Sequence, residues 1–137
     1  MNLYSTLVFL HVVTAILGLG PLTVLAVLSG GPASHPFPKE RFNQLLRLVG
    51  WSLPIMFVTG AIIIALTRGA LGDTGWMRVS FGLFLFLGFL HAMARRQVRR
   101  TQETSAPASP AKPLRLILWS MCIVTAAITY LMEAKPF

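Results

Sequence analysis

Two histidines stand inside long apolar stretches of this chain, each closing the same tripeptide: V-F-L-H at residues 8–11 and G-F-L-H at residues 88–91. Imidazole is the side chain best suited to chemistry in such surroundings. Neutral, it is cheaper to bury than a carboxylate or an ammonium group, and it ligates haem iron and copper. Ionisable groups inside a membrane span are costly and are functional candidates by default, which makes His11 and His91 the candidate site residues. Two chemistries suit imidazoles in a helical bundle: axial ligation of haem b, and copper held by histidine with softer donors. The available soft donors are Met56, Met93, Met121, Met132 and Cys122. A plainer reading gives each histidine one hydrogen bond to a hydroxyl on a neighbouring helix and no chemistry at all. The third histidine, His35, falls in the turn-rich stretch S-G-G-P-A-S-H-P-F-P and is expected in solvent.

The elements that carry these residues follow from composition. Of 137 residues 55% are hydrophobic and 12% charged, and the mean hydropathy is +0.69. A soluble domain carries about 25% charged residues, so the chain reads as a membrane protein. Four apolar runs, about 3–28, 48–67, 76–94 and 114–132, approach the roughly 20 residues a helix needs to cross a bilayer. Backbone in lipid must satisfy its own hydrogen bonds, so the runs predict helices and the fold an all-α, up-down four-helix bundle forming one domain. The first run lacks a preceding Lys or Arg and reads as a retained span rather than a signal peptide. One cysteine, Cys122, leaves no intrachain disulfide.

The net charge of +8 comes from cations at the ends of the runs, which points to lipid headgroups and away from nucleic acid. Nine Lys and Arg flank the first and third connections and three the opposite side, so both termini are expected on the outer face of a bacterial inner membrane. Arg95, Arg96, Arg99 and Arg100 read as a topology-fixing cluster that touches anionic headgroups. Residues 101–113 are rich in Pro, Ala and Ser and read as a flexible linker, and Trp76 is expected at headgroup depth. A homo-oligomer or a larger membrane complex suits a chain this small.

Helical spacing puts His11 on a face with Tyr4, Thr14, Ala15 and Gly18, small enough to turn inward against a neighbour. His91 shares its face with Phe84, Leu87, Gly88 and Arg95. The second helix offers Trp51, Ser52, Met56, Thr59 and Gly60, with a kink expected at Pro54 and another in the first helix at Pro21. The fourth offers Trp119, Cys122, Ala126, Thr129 and Glu133. Bookkeeping along the antiparallel spans places the two histidines roughly 12 Å apart in depth. That separation permits a shared haem only if the haem is strongly tilted, and it argues against one shared metal ion.

The opening L-V-F-L-H-V-V-T-A-I-L-G-L-G, the stretch L-P-I-M-F-V-T-G-A-I-I-I-A-L, Trp76 and the closing L-M-E-A-K-P resemble a family of bacterial predicted integral membrane proteins. That family is in turn similar to copper-resistance D type proteins and to the HemJ-type protoporphyrinogen oxidase. The latter resemblance implies haem b bound through a first-helix histidine, here His11, while its lysine second ligand has no counterpart inside a span. The former implies copper handling. Two roles therefore stay open: a haem- or metal-binding protein with a redox or cofactor-related task, and a non-catalytic membrane subunit or small-molecule carrier with structural histidines.

Overall fold

A computed structural model of the chain describes residues 2–29, 39–67, 74–103 and 112–134. They form four helices: α1 (Leu3–Leu28), α2 (Lys39–Leu66), α3 (Gly75–Glu103) and α4 (Lys112–Ala134). Each is long and apolar enough to cross a membrane, and no strand occurs among the described residues. The chain is thus an all-α four-helix bundle. α1 packs along α2 and α3 along α4, α1 also meets α4, and α2 approaches α3 only sparsely. His35, Arg68 and Lys135 lie outside the described residues.

The first helix starts where expected, because the Asn2 side chain accepts the Ser5 backbone N–H at 2.9 Å and caps the first turn. The second and third helices run well past their apolar stretches. α2 begins at Lys39 rather than near Leu48, and α3 continues to Glu103 rather than stopping near Ala94. Both extensions are amphipathic. Leu46 and Val49 are buried and Phe42 and Leu45 partly so, while Ala94 and Val98 give α3 a matching stripe. Glu40 in the first turn of α2 and Arg100 in the last turn of α3 complement the helix dipoles. Residues 101–103 and 112–113 of the expected linker are accordingly helical, and 104–111 lie outside the described residues.

The core is lopsided. Leu22, Leu25, Ala26, Leu46, Val49, Leu87, Leu90, Leu118 and Met121 gather in the half where α1 and α3 end and α2 and α4 begin, hereafter the basic end. The opposite half, the terminal end, is open: residues 3–17 of α1 contribute no buried side chain, and Phe9, Ile16 and Leu17 are exposed. Near the centre α1 and α2 cross in close contact at Gly18. A methyl group there would collide with Ser52 Cβ and Oγ, so only glycine permits the approach. Pro21 and Pro54 both lie inside continuous helices.

Trp76 is buried at the start of α3. One expected placement needs correction. The α4 face of Trp119, Ala126, Thr129 and Glu133 points outward, with Cys122 at its edge. The buried stripe is Leu114, Ile117, Leu118, Met121, Val124 and Ile128, which offers larger apolar area to the core.

Candidate functional site

His11 leans from α1 onto α2, where its Nδ1 lies 2.8 Å from Thr59 Oγ1. The same hydroxyl donates to the Ile55 carbonyl at 2.8 Å and the Met56 carbonyl at 3.1 Å. With the single hydroxyl hydrogen on one of these carbonyls, the lone pair left on Oγ1 is open to receive Nδ1–H. In that arrangement the ring is the tautomer that carries its own lone pair on Nε2. Fixing one imidazole nitrogen so that the other can ligate is the arrangement metal-bound histidines show. Gly60 makes the approach possible: a Cβ there would meet His11 Cε1 at 3.4 Å. The inward face expected from small residues around His11 is present, with Gly18 buried and Thr14 and Ala15 half-buried, although Tyr4 is exposed.

His91 also leans onto α2, at Gly50. A Cβ at Gly50 would stand 2.8 Å from His91 Nε2, so the ring is seated directly against the helix backbone. The residue is 7% exposed, and neither Nδ1 nor Nε2 has a hydrogen-bond partner among the described residues. Ser80 Oγ and Thr125 Oγ1 are buried and unpartnered in the same way. An unsatisfied buried polar group costs about 1–3 kcal/mol, so His91 is the less comfortable of the two histidines.

The histidines do not share a site. Their seats, Gly60 and Gly50, are ten residues apart on one helix, or about 15 Å at 1.5 Å per residue. A single metal ion cannot reach both, and a haem ligated by both does not fit this arrangement. Softer donors are scattered as well. Met121 is in the core, Met56 is buried beneath Thr59, and Met93 and Met132 face outward. Among the described residues no three His, Cys, Asp or Glu side chains come together in a group that could hold a metal ion.

Arg95, Arg96, Arg99 and Arg100 are all exposed on the last turns of α3. Lys112 and Arg115 border a shallow groove on α4 floored by Leu116, Trp119 and Ile123. Residue types alone pointed to Thr59 and Gly60 but not to Gly50. The signal for it was Pro54, four residues on, whose missing N–H leaves the Gly50 carbonyl without its helical partner. No family model, no curated protein and no solved structure matches this chain.

Proposed function

We propose that this chain is a small multi-pass protein of a bacterial cytoplasmic membrane, with both termini outside, that holds a haem-b-type group through His11 alone. The observation that carries the reading is the Nδ1–Thr59 hydrogen bond, which leaves Nε2 as a fixed, lone-pair-bearing nitrogen on a half-buried ring. A single histidine suffices to hold haem iron. Leu7 and Val8, one turn before His11 on its own face and half-buried, give a flat apolar group surface to lie against. When bound, such a group would supply one-electron chemistry. His11 would ligate it, and Thr59 would keep the ring from turning. The resemblance of the first helix to that of haem-binding membrane bundles implies the same histidine as ligand and supports this reading. Copper, the alternative cofactor, would meet no convergent group of three His, Cys, Asp or Glu donors among the described residues.

His91 has no part in this ligation. Anionic headgroups are the natural partners of Arg95, Arg96, Arg99 and Arg100, since such residues gain about 1 kcal/mol each near an anionic surface. A second reading, in which His11 and His91 only clamp helices together, is favoured by the way each ring fits against a glycine of α2. Visible spectra of the detergent-purified protein, oxidised and reduced, separate the two. A Soret band lost in His11→Ala and kept in His91→Ala is expected. A colourless protein after expression with added haem precursor sinks the haem reading and leaves the clamp.

A further inference from the structure

The sparse seam between α2 and α3 is closed at two places and open between them. Toward the basic end it is closed by His91 on Gly50. Toward the terminal end Phe57 of α2 meets Phe81 and Phe84 of α3, with ring centroids 5.7 and 6.4 Å apart. On α3 the residue between Phe84 and His91 on that face is Gly88, and a Cβ there would meet nothing within 4 Å. On α2 the corresponding residue between Gly50 and Phe57 is Pro54, which is exposed. Phe84 and His91 are seven residues apart, so the opening is about 10 Å tall.

The two ends of this opening differ in chemistry. One end is aromatic. The other holds His91, with two unpartnered ring nitrogens on a residue only 7% exposed, and the Gly50 carbonyl. Helix carbonyls point toward the C-terminal end, so that of Gly50 is directed at Pro54 and into the opening. Pro54 has no N–H to give it. A neutral imidazole presents one donor and one acceptor, and the carbonyl presents a second acceptor. The complementary group is a hydroxyl, which both donates and accepts. The complementary body is a flat ring that stacks beside Phe57 and Phe84 and arrives through the bilayer.

We propose that the opening at Gly88 and Pro54 binds the ring of a membrane-soluble quinol. Its hydroxyl donates to the Gly50 carbonyl and accepts from the His91 ring N–H, and its ring lies between His91 and the phenylalanines. His91 lifts off Gly50 to make this contact, into the space beside Gly88. The quinol binds more tightly than the corresponding quinone, which has no hydrogen to give the carbonyl. The site is separate from His11 and does not depend on what His11 holds.

The test uses the full chain in lipid nanodiscs, with a decyl-substituted benzoquinol, the matching benzoquinone and decylbenzene as probes in equilibrium dialysis. Wild type is expected to bind one quinol per chain saturably, about tenfold more tightly than the quinone, the size of one lost hydrogen bond to a buried acceptor, and more tightly again than decylbenzene, which loses both bonds. Gly88→Leu, which fills open space, should lose that binding and keep its helix content and melting temperature. His91→Leu should weaken quinol and quinone alike, because both accept its ring N–H, and keep the preference set by the Gly50 carbonyl; His11→Ala should change neither. If Gly88→Leu fails to fold, Gly88→Val takes its place. Linear, unsaturable uptake overturns the proposal. So does unchanged binding in the folded Gly88 variant, or loss of binding in His11→Ala.

Discussion

At Gly60 the imidazole of His11 rests at ordinary contact distance with one nitrogen bonded to Thr59, in a half of the bundle where α1 buries nothing between residues 3 and 17. At Gly50 the imidazole of His91 is pressed against the backbone with neither nitrogen bonded, in the half that holds most of the core. Both seats use the same device, a glycine on α2 that admits a ring from a neighbouring helix. The packing density around them is what differs. Where packing is loose, the ring could turn until a hydroxyl satisfied it. Where packing is tight, apolar neighbours fix the ring and leave its nitrogens unsatisfied. Polar satisfaction and close packing compete for the same side-chain rotation, and in this bundle each half settles the competition differently.

The crossing of Gly18 and Ser52 separates the two regions, and changing it should have the largest effect. Gly18→Ala puts a methyl group into Ser52 Cβ and Oγ, and overpacking of this kind costs about 3 kcal/mol at its upper end. Because this crossing holds α1 on α2, the variant should also loosen the His11–Thr59 contact while His91 stays seated. Unfolding by SDS titration in mixed micelles, with the two imidazole signals followed by NMR, reads both effects. Equal disturbance of the two rings would show that the halves are not separable.

The two seats themselves should respond unequally. Gly50→Ala drives a methyl group to 2.8 Å from a buried ring nitrogen, for a net loss of about 1–2 kcal/mol once the helix-favouring effect of alanine is counted. Gly60→Ala brings only a 3.4 Å contact with a half-exposed ring, and should be neutral or stabilising by up to about 0.5 kcal/mol. The same titration measures both. Matching losses would mean that the looser packing around His11 does not relieve the contact.

The four-helix architecture was legible in the sequence because apolar run length and backbone satisfaction leave helices as the only solution for such runs. The extensions of α2 and α3 were harder to see, since Lys39–Arg47 and Arg95–Glu103 read as polar ends until Phe42, Leu45, Leu46 and Val98 are placed at helical spacing. The depth difference between His11 and His91 followed from counting residues, and roughly 12 Å by rise per residue is close to the roughly 15 Å implied by their glycine seats. The α4 face was misread because Cys122, Thr129 and Glu133 drew attention as polar residues, whereas burial there follows area and selects Leu118, Met121 and Ile128. The hydrogen-bonding state of each ring could not be read from residue types. It depends on whether a hydroxyl on α2 falls within about 3 Å, which is set by helix rotation and crossing.

Replacing each imidazole by an apolar side chain of similar size should give effects of opposite sign. His91→Leu removes two unpartnered nitrogens from the core and should leave stability unchanged or raise it by about 1 kcal/mol, since removing an unsatisfied polar group relieves its desolvation cost. His11→Leu removes the bond to Thr59 and should lower stability by about 1 kcal/mol. Midpoints from the same SDS titration decide the signs. A loss in both variants would mean that His91 is satisfied in the membrane by a partner outside the chain.

The smallest effect isolates the bond itself. Thr59→Val keeps the shape of the side chain and removes the oxygen that receives His11 Nδ1–H. The two backbone carbonyls it donates to, Ile55 and Met56, already lie within a helix. Interhelical hydrogen bonds in membrane bundles couple their partners by about 0.6 kcal/mol, so a double-mutant cycle with His11→Leu and Thr59→Val should return a coupling of that size. The pairing His91→Leu with Thr59→Val should return none, because His91 packs on α2 at Gly50, nine residues from Thr59 or about 13 Å along the helix. If the first cycle also returns nothing, the hydroxyl does not fix the ring, and the contrast between a satisfied His11 and an unsatisfied His91 fails with it.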